Sequence, residues 1–176
     1  VIFGKALGNG YSITTVIGKR KIMEKAQDTF MSSTFWSERI GPAAAIRTLE
    51  IMKKTKSWNK ITDKGIALRK NLKKIAKKNA LEIDFIGLPS LTTFLLKTKK
   101  NSMFEYKNLI SQEMLKEGFL ASNSIYISVA HTKKILDLYI KNLDKVFKII
   151  SDCENGKEIE KIIKYPISHK GFQRLN

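Results

Sequence analysis

From residue 132 onward, Ile135, Leu136, Tyr139, Leu143, Val146, Phe147 and Ile150 recur three and four positions apart, so a helix capped by Thr132 carries them all on one side. A helix with one apolar stripe must bury it, and the preceding segments supply what it can be buried against. Residues 81–86 and 91–96 read as strands around the turn Gly87-Leu88-Pro89, and residues 125–130 alternate like a third strand. Residues 104–116 read as a helix ended by Gly118. Another helix, capped by Thr62 or Asp63, runs to about Lys78 with Ile66, Leu68, Leu72 and Ile75 on its apolar side. From about Ile61 the order helix, strand, strand, helix, strand, helix predicts an α+β sandwich, a small sheet with helices over one face. The remainder from Asn155 is basic and reads as peripheral.

The earlier residues follow another pattern. Val1-Ile2-Phe3 is short, apolar and partly β-branched, which reads as the end of a buried strand, and Gly4 then releases the chain. Lys5 emerges there, next to Gly8-Asn9-Gly10, whose backbone can come close to something flat or charged. On spacing alone Lys5 is a surface lysine in a glycine turn, because a glycine pair is a weak signal. Residues 11–17 read as a second strand, and a short helical stretch follows Gly18 through Gln27. In "TFMSSTFWSERIGPAAA", Pro42 is placed as the first residue of a helix reaching about Lys54, with Ala43, Ala44 and Ala45 as a thin packing face. Trp58 and Asn59 read as a joint. Residues 1–60 are thus expected to be the end of a larger α/β domain and residues 61–176 a small α+β domain. A strand that opens a chain without sheet neighbours predicts a piece of a longer protein.

At 176 residues and 43% hydrophobic content the chain can bury a sizeable core. Its formal charge of +17 raises an alternative, a non-catalytic basic domain that binds nucleic acid or another anionic polymer. The lysines argue against it: they are scattered through "NLKKIAKKNALEI" and "KEIEKIIK" as on solvated helix faces, with no aromatic-interleaved basic patch. No secretory h-region or membrane-length apolar run occurs, and Cys153 is the single cysteine, so a reducing, cytoplasmic setting is expected. His131, His169 and one cysteine make no ligand cluster, and no metal is expected.

Three stretches, in order, carry a family resemblance. "VIFGKALGNGYSITTVIGKRKIM" resembles the cofactor-lysine segment of the class III aminotransferases, pyridoxal-phosphate enzymes of fold type I. "SSTFWSERIGPAAAIRTLEIM" resembles the threonine motif and small-residue helix that follow it. "EMLKEGFLASNSIYISVAHTKKILD" is similar to the C-terminal segment of glutamate-1-semialdehyde aminomutase-like members. The resemblance covers nearly the whole chain and implies the C-terminal part of such an enzyme: the end of the large cofactor domain plus the small C-terminal domain. No counterpart of the family's N-terminal half, with its phosphate-cradling loop, stacking ring and aspartate under the pyridine nitrogen, is present in these residues. The 176 residues alone are therefore expected to be inactive.

What the resemblance implies for single residues can be set against their chemistry. Lys5 becomes the Schiff-base lysine of pyridoxal 5'-phosphate and the base that moves a proton at the substrate's α-carbon, tasks a permanently charged arginine cannot perform. Burial is expected to favour its neutral form. Thr34 reaches the cofactor phosphate of a neighbouring subunit, with Ser33 beside it, which implies a homodimer with shared active sites. Where many members carry a Gly-Asn-Pro triplet, "FWSERI" intervenes. Trp36, Glu38 and Arg39 are candidates for substrate selection, Arg39 by pairing with a carboxylate or phosphate, and the competing reading is an interface salt bridge. His131 reads as structural. The function implied is amino-group transfer, as aminotransferase or aminomutase, between a small-molecule amino donor and a carbonyl acceptor, with no nucleic acid or membrane partner.

Overall fold

The structure of the chain is a computed structural model that describes residues 1–167; His169 lies outside the described residues. Two compact units are present, Val1–Trp58 and a second from Asn59 onward.

In the first unit, β1 (Ile2–Phe3) pairs antiparallel with β2 (Thr15–Val16), Ile2 opposite Val16 and Phe3 opposite Thr15. The expected second strand over residues 11–17 shrinks to these two residues because Tyr11 is drawn into a turn, its N–H donating to the Gly8 carbonyl at 3.1 Å. Residues 1–3 are exposed in this chain. Val1 is 79% and Ile2 75% exposed, since β2 is the only strand beside them among the described residues. Helix α1 (Arg20–Met23) runs into a 3-10 turn, Glu24–Asp28. Helix α2 spans Ile40–Thr55, so Pro42 is its third residue and not its first, still within the turn where a missing N–H costs nothing.

Lys56 then takes the left-handed conformation, φ 48° and ψ 45°, and α3 starts at once, Ser57–Lys78. The expected joint at Trp58 and Asn59 therefore lies inside helix, and Thr62 and Asp63 are interior residues and not caps. One left-handed residue ends one helix and lets the next begin, at a cost of about 1–2 kcal/mol. Helix α3 buries Gly65, Leu68, Leu72, Ile75 and Ala76.

The second unit is built on a three-stranded antiparallel sheet in the order β3 (Glu82–Ile86), β4 (Leu91–Lys97), β5 (Ser124–Tyr126). Register runs from Glu82 opposite Lys97 to Ile86 opposite Thr93, and from Leu91 opposite Tyr126 to Thr93 opposite Ser124. Along β4, Thr92, Phe94 and Leu96 are buried while their neighbours are not, so one face meets the core. That core is completed by Leu68 and Leu72 of α3, Tyr106, Leu109, Ile110 and Met114 of α4 (Met103–Lys116), and Leu143, Phe147 and Ile150 of α5 (Lys133–Glu154). Phe94 and Phe147 meet edge to face at 5.8 Å at its centre. The expected α+β sandwich is what forms.

Local chemistry fixes the element ends. Ser102 and Glu105 make a reciprocal capping box on α4, and Gly118 follows that helix at φ +82°. Thr132 accepts from the Ile135 N–H at 3.3 Å and caps α5, as its position predicts. Strand β5 stops well short of residue 130. Ser128 donates its N–H to His131 Nδ1 at 3.3 Å and accepts from the Ala130 N–H, which closes a turn and gives His131 a structural task. The remainder after α5 is not wholly peripheral. Ile159, in a 3-10 turn (Ile159–Lys161), is 2% exposed within the core, and Gln112 holds the following backbone through Ile162 O and the Lys164 N–H.

Two polar anchors hold the sheet to its helices. Arg69 of α3 donates to Thr92 Oγ1 and the carbonyls of Gly87 and Leu88 at 2.8–2.9 Å, with its guanidinium over the Phe85 ring. Beside it Gly65 lets the hairpin turn touch the helix: a Cβ there would lie 2.0 Å from the Pro89 oxygen. Glu154, at the end of α5, accepts from the Tyr106 hydroxyl at 2.6 Å and from the Lys99 N–H at 2.7 Å. Burial pushes its pKa up, but these donors outweigh burial and hold it below the usual carboxylate range.

Two outcomes follow. Alanine is normally the better helix former by about 1 kcal/mol, yet Gly65→Ala is expected to lower the unfolding free energy by about 2 kcal/mol, because the clash is with backbone. Urea unfolding followed by circular dichroism reads the sign, and a stabilised variant would contradict the contact. A depressed carboxylate contributes stability above its unfolded pKa and loses it as pH falls through the folded value. The unfolding free energy should therefore fall below about pH 4.5, and Glu154→Gln should be less stable at neutral pH with a shallower acid decline. A difference between the two proteins that stays constant from pH 7 to about pH 3 would rule this out.

Candidate active site

Lys5 opens a 3-10 turn, Lys5–Leu7, and its own φ is +50°. Asn9 and Gly10 are left-handed as well, at +48° and +109°, so three such residues fall within six. Asparagine and glycine take this geometry readily, but for lysine it is disfavoured, and the surrounding backbone must impose it. It does so through close packing. Gly8 is buried, and a Cβ on it would lie 2.1 Å from the Tyr11 oxygen and 2.8 Å from Ile13 Cγ2. The Lys5 carbonyl accepts from the N–H groups of both Gly8 and Asn9 at 3.2 Å.

Helix α2 closes the arrangement from the other side. Its buried Gly41 leaves no room for a side chain, since a Cβ would stand 2.6 Å from the Ser12 oxygen and 3.2 Å from Ile13 Cβ. The helix packs against the Lys5 turn itself. Lys5 therefore stands on a backbone held by two glycine contacts, while its side chain is exposed and, among the described residues, meets neither a carboxylate nor a hydrogen-bond acceptor.

Ser33 and Thr34 lie in the turn that precedes α2, both exposed. Ser33 Oγ accepts from the Phe35 N–H at 3.3 Å, and no hydrogen bond joins either residue to Lys5 among the described residues. Phe30 and Trp36 stand 95% and 70% exposed in the same segment. Glu38 has a different task from the one expected: its two carboxylate oxygens accept from the N–H groups of Ile40 and Gly41. No ion pair joins it to Arg39 among the described residues. Arg39 is exposed and has no ion pair among the described residues. Sequence reasoning missed this cap because the acid sits one place before the N-cap residue, where no common signature marks it. No cluster of histidine, cysteine or acidic residues able to hold a metal exists among the described residues. No helix of the described residues is long and apolar enough to cross a membrane.

The family model for aminotransferase class-III matches residues 1–150. Among curated relatives, the chain is 28% identical to the 3-aminobutyryl-CoA aminotransferase of Cloacimonas acidaminovorans, over 76% of this chain and 33% of the relative. It is 26% identical to the glutamate-1-semialdehyde 2,1-aminomutase of Sulfurihydrogenibium azorense, over 84% of this chain and 38% of the relative. The chain thus spans about a third of the length of these relatives. Among solved structures, the Sphingopyxis sp. MTA144 FumI protein in its PLP internal aldimine form superposes with a TM-score of 0.79 at 24% identity, covering 92% of this chain and 39% of that one, a likeness of fold. With most of its length matched by the family model, the chain belongs to the class-III aminotransferases.

Proposed function

We propose that this chain is the C-terminal part of a pyridoxal-phosphate-dependent aminotransferase or aminomutase in which Lys5 joins the cofactor. In this reading residues 1–60 end the cofactor domain and residues 61–176 form the small domain. One observation carries the proposal: the family match, over residues 1–150, takes in a lysine held in a strained, close-packed turn with its amine exposed and free of any competing acceptor among the described residues. The donor set fits the group. A primary amine suits an aldehyde, and the hydroxyls of Ser33 and Thr34 with adjacent N–H groups suit a phosphate dianion.

Pyridoxal phosphate, when bound, supplies the aldehyde that lysine and substrate amines attack in turn and a ring that draws electrons from the carbon bearing the nitrogen. Lys5 Nζ would take the proton from that carbon and return it, as a general base on a flexible arm. Ser33 and Thr34 donate hydrogen bonds to the phosphate, Thr34 on behalf of a neighbouring subunit, so the working enzyme is a two-fold dimer. Arg39 and Trp36, both exposed, would serve substrate selection, Arg39 by pairing with a carboxylate or phosphate on the substrate. A cytosolic setting is supported by Cys153, a buried lone thiol whose pKa burial pushes up, which needs no oxidising compartment.

The test uses the protein together with the sequence upstream of Val1. Borohydride should fix a covalent pyridoxyl adduct that peptide mapping finds on Lys5, and Lys5→Ala should lose turnover by at least about 1,000-fold with an unchanged melting temperature. Near-normal turnover of the alanine variant would remove the proposal.

A further inference from the structure

The first backbone donors of α2 each have a destination. Pro42, its third residue, has no N–H, and the Ala43 N–H already donates to the Arg39 carbonyl at 3.1 Å as the first rung of the helix ladder. Ile40 and Gly41 remain. Ile40 donates to Glu38 Oε1, and Gly41 donates to Glu38 Oε2 at 2.9 Å. The carboxylate thus occupies the positive end of a 16-residue helix, the place an external anion would otherwise take. A phosphate cannot use that helix terminus while Glu38 is seated there.

Glu38 also faces the other way along the chain. Its N–H donates to the Phe35 carbonyl at 3.1 Å, and the Phe35 N–H donates to Ser33 Oγ at 3.3 Å. A run of hydrogen bonds therefore leads from Ser33, next to Thr34, to the start of α2. The same helix start presses through Gly41 on Ser12 and Ile13 and packs against the Lys5 turn. Glu38 thus stands at the junction, its backbone N–H held by the hydroxyl-bearing loop and its carboxylate by the start of the helix that seats the lysine.

We propose that Glu38 is a positioning residue that sets the Ser33 and Thr34 loop for phosphate recognition without touching the phosphate. The proposal rests on the reading of Lys5, Ser33 and Thr34 given above. Its carboxylate would repel a dianion if free, but two N–H donors and the helix dipole offset that charge. Phosphate binding then falls to the loop hydroxyls and backbone, whose placement depends on Glu38.

The experiment separates phosphate recognition from lysine chemistry. The protein with its upstream sequence, unsubstituted or as Glu38→Ala or Glu38→Gln, is titrated with pyridoxal phosphate and, in parallel, with pyridoxal. Adducts are fixed by borohydride and quantified on Lys5, and each variant's melting temperature is measured. Glu38→Ala should raise the half-saturating concentration of pyridoxal phosphate about tenfold, and Glu38→Gln about threefold, since glutamine still offers one acceptor. Both should leave the pyridoxal curve within about twofold of the unsubstituted protein, which has no phosphate to misplace. Equal shifts for the two aldehydes, or no shift for either, would overturn the assignment, and Glu38→Gln decides alone if the alanine variant is unfolded at the assay temperature. The absence of any Lys5 adduct in the unsubstituted protein would overturn the Lys5 reading, and this inference with it, which is a distinct result.

Discussion

The contact between the backbone of α2 and that of Ser12 and Ile13 governs the first unit. Two polypeptide backbones come this close only where one carries no side chain, and Gly41 meets that condition. The unit has little else: α2 buries only Gly41 and Ala45, and much of its apolar surface is exposed. Helix α2 packs on the turn that carries the left-handed Lys5 and, through Gly41, on Ser12 and Ile13. Conformational strain at Lys5 is thus offset by packing a few residues away, which keeps the lysine backbone fixed while its side chain stays free to move.

The second unit has a denser solution to the same kind of problem. Its edge-to-face Phe94 and Phe147 pair sits among side chains from three helices, and its loops are tied by charged groups whose partners are backbone atoms. Arg69 and Glu154 lie far apart in the sequence but act in one manner. Each concentrates several hydrogen bonds on one ionised side chain, which is where such bonds contribute most. Simple ion pairs on the helix surfaces, such as Lys133 with Asp137 or Lys148 with Asp152, are solvent-screened and add little.

What could be read from the sequence divides along physical lines. Helix α5 and the alternation of β4 were legible because one-sided burial writes itself as a period, three to four residues in the one and two in the other. The break at Lys56 was not, since a lysine in the left-handed region leaves no compositional mark and "SWNKIT" is compatible with helix. Strand β5 was read too long because local hydrogen bonds at Ser128 and His131 overrode its alternation. The Ser102 and Glu105 box was legible by spacing but not read. In the site, Lys5 was singled out by its motif, whereas the role of Glu38 depends on a fold-back of the chain that no spacing rule encodes. The glycine contacts show the same limit: Gly8 and Gly41 look like ordinary turn and helix glycines until the atoms they face are known.

The burial of Ile159 bears on how the gene tolerates shortening. A stop codon just after α5 would leave every helix and strand of the sheet unit encoded, and by element count the domain would look intact. It would nonetheless remove an interior side chain together with Ile162 and Ile163, which pack against the core, and expose the apolar groups beneath them. Residues 155–167 hold little regular structure beyond that 3-10 turn, yet Ile159 acts as a plug, and nonsense or frameshift changes ahead of it belong with core lesions.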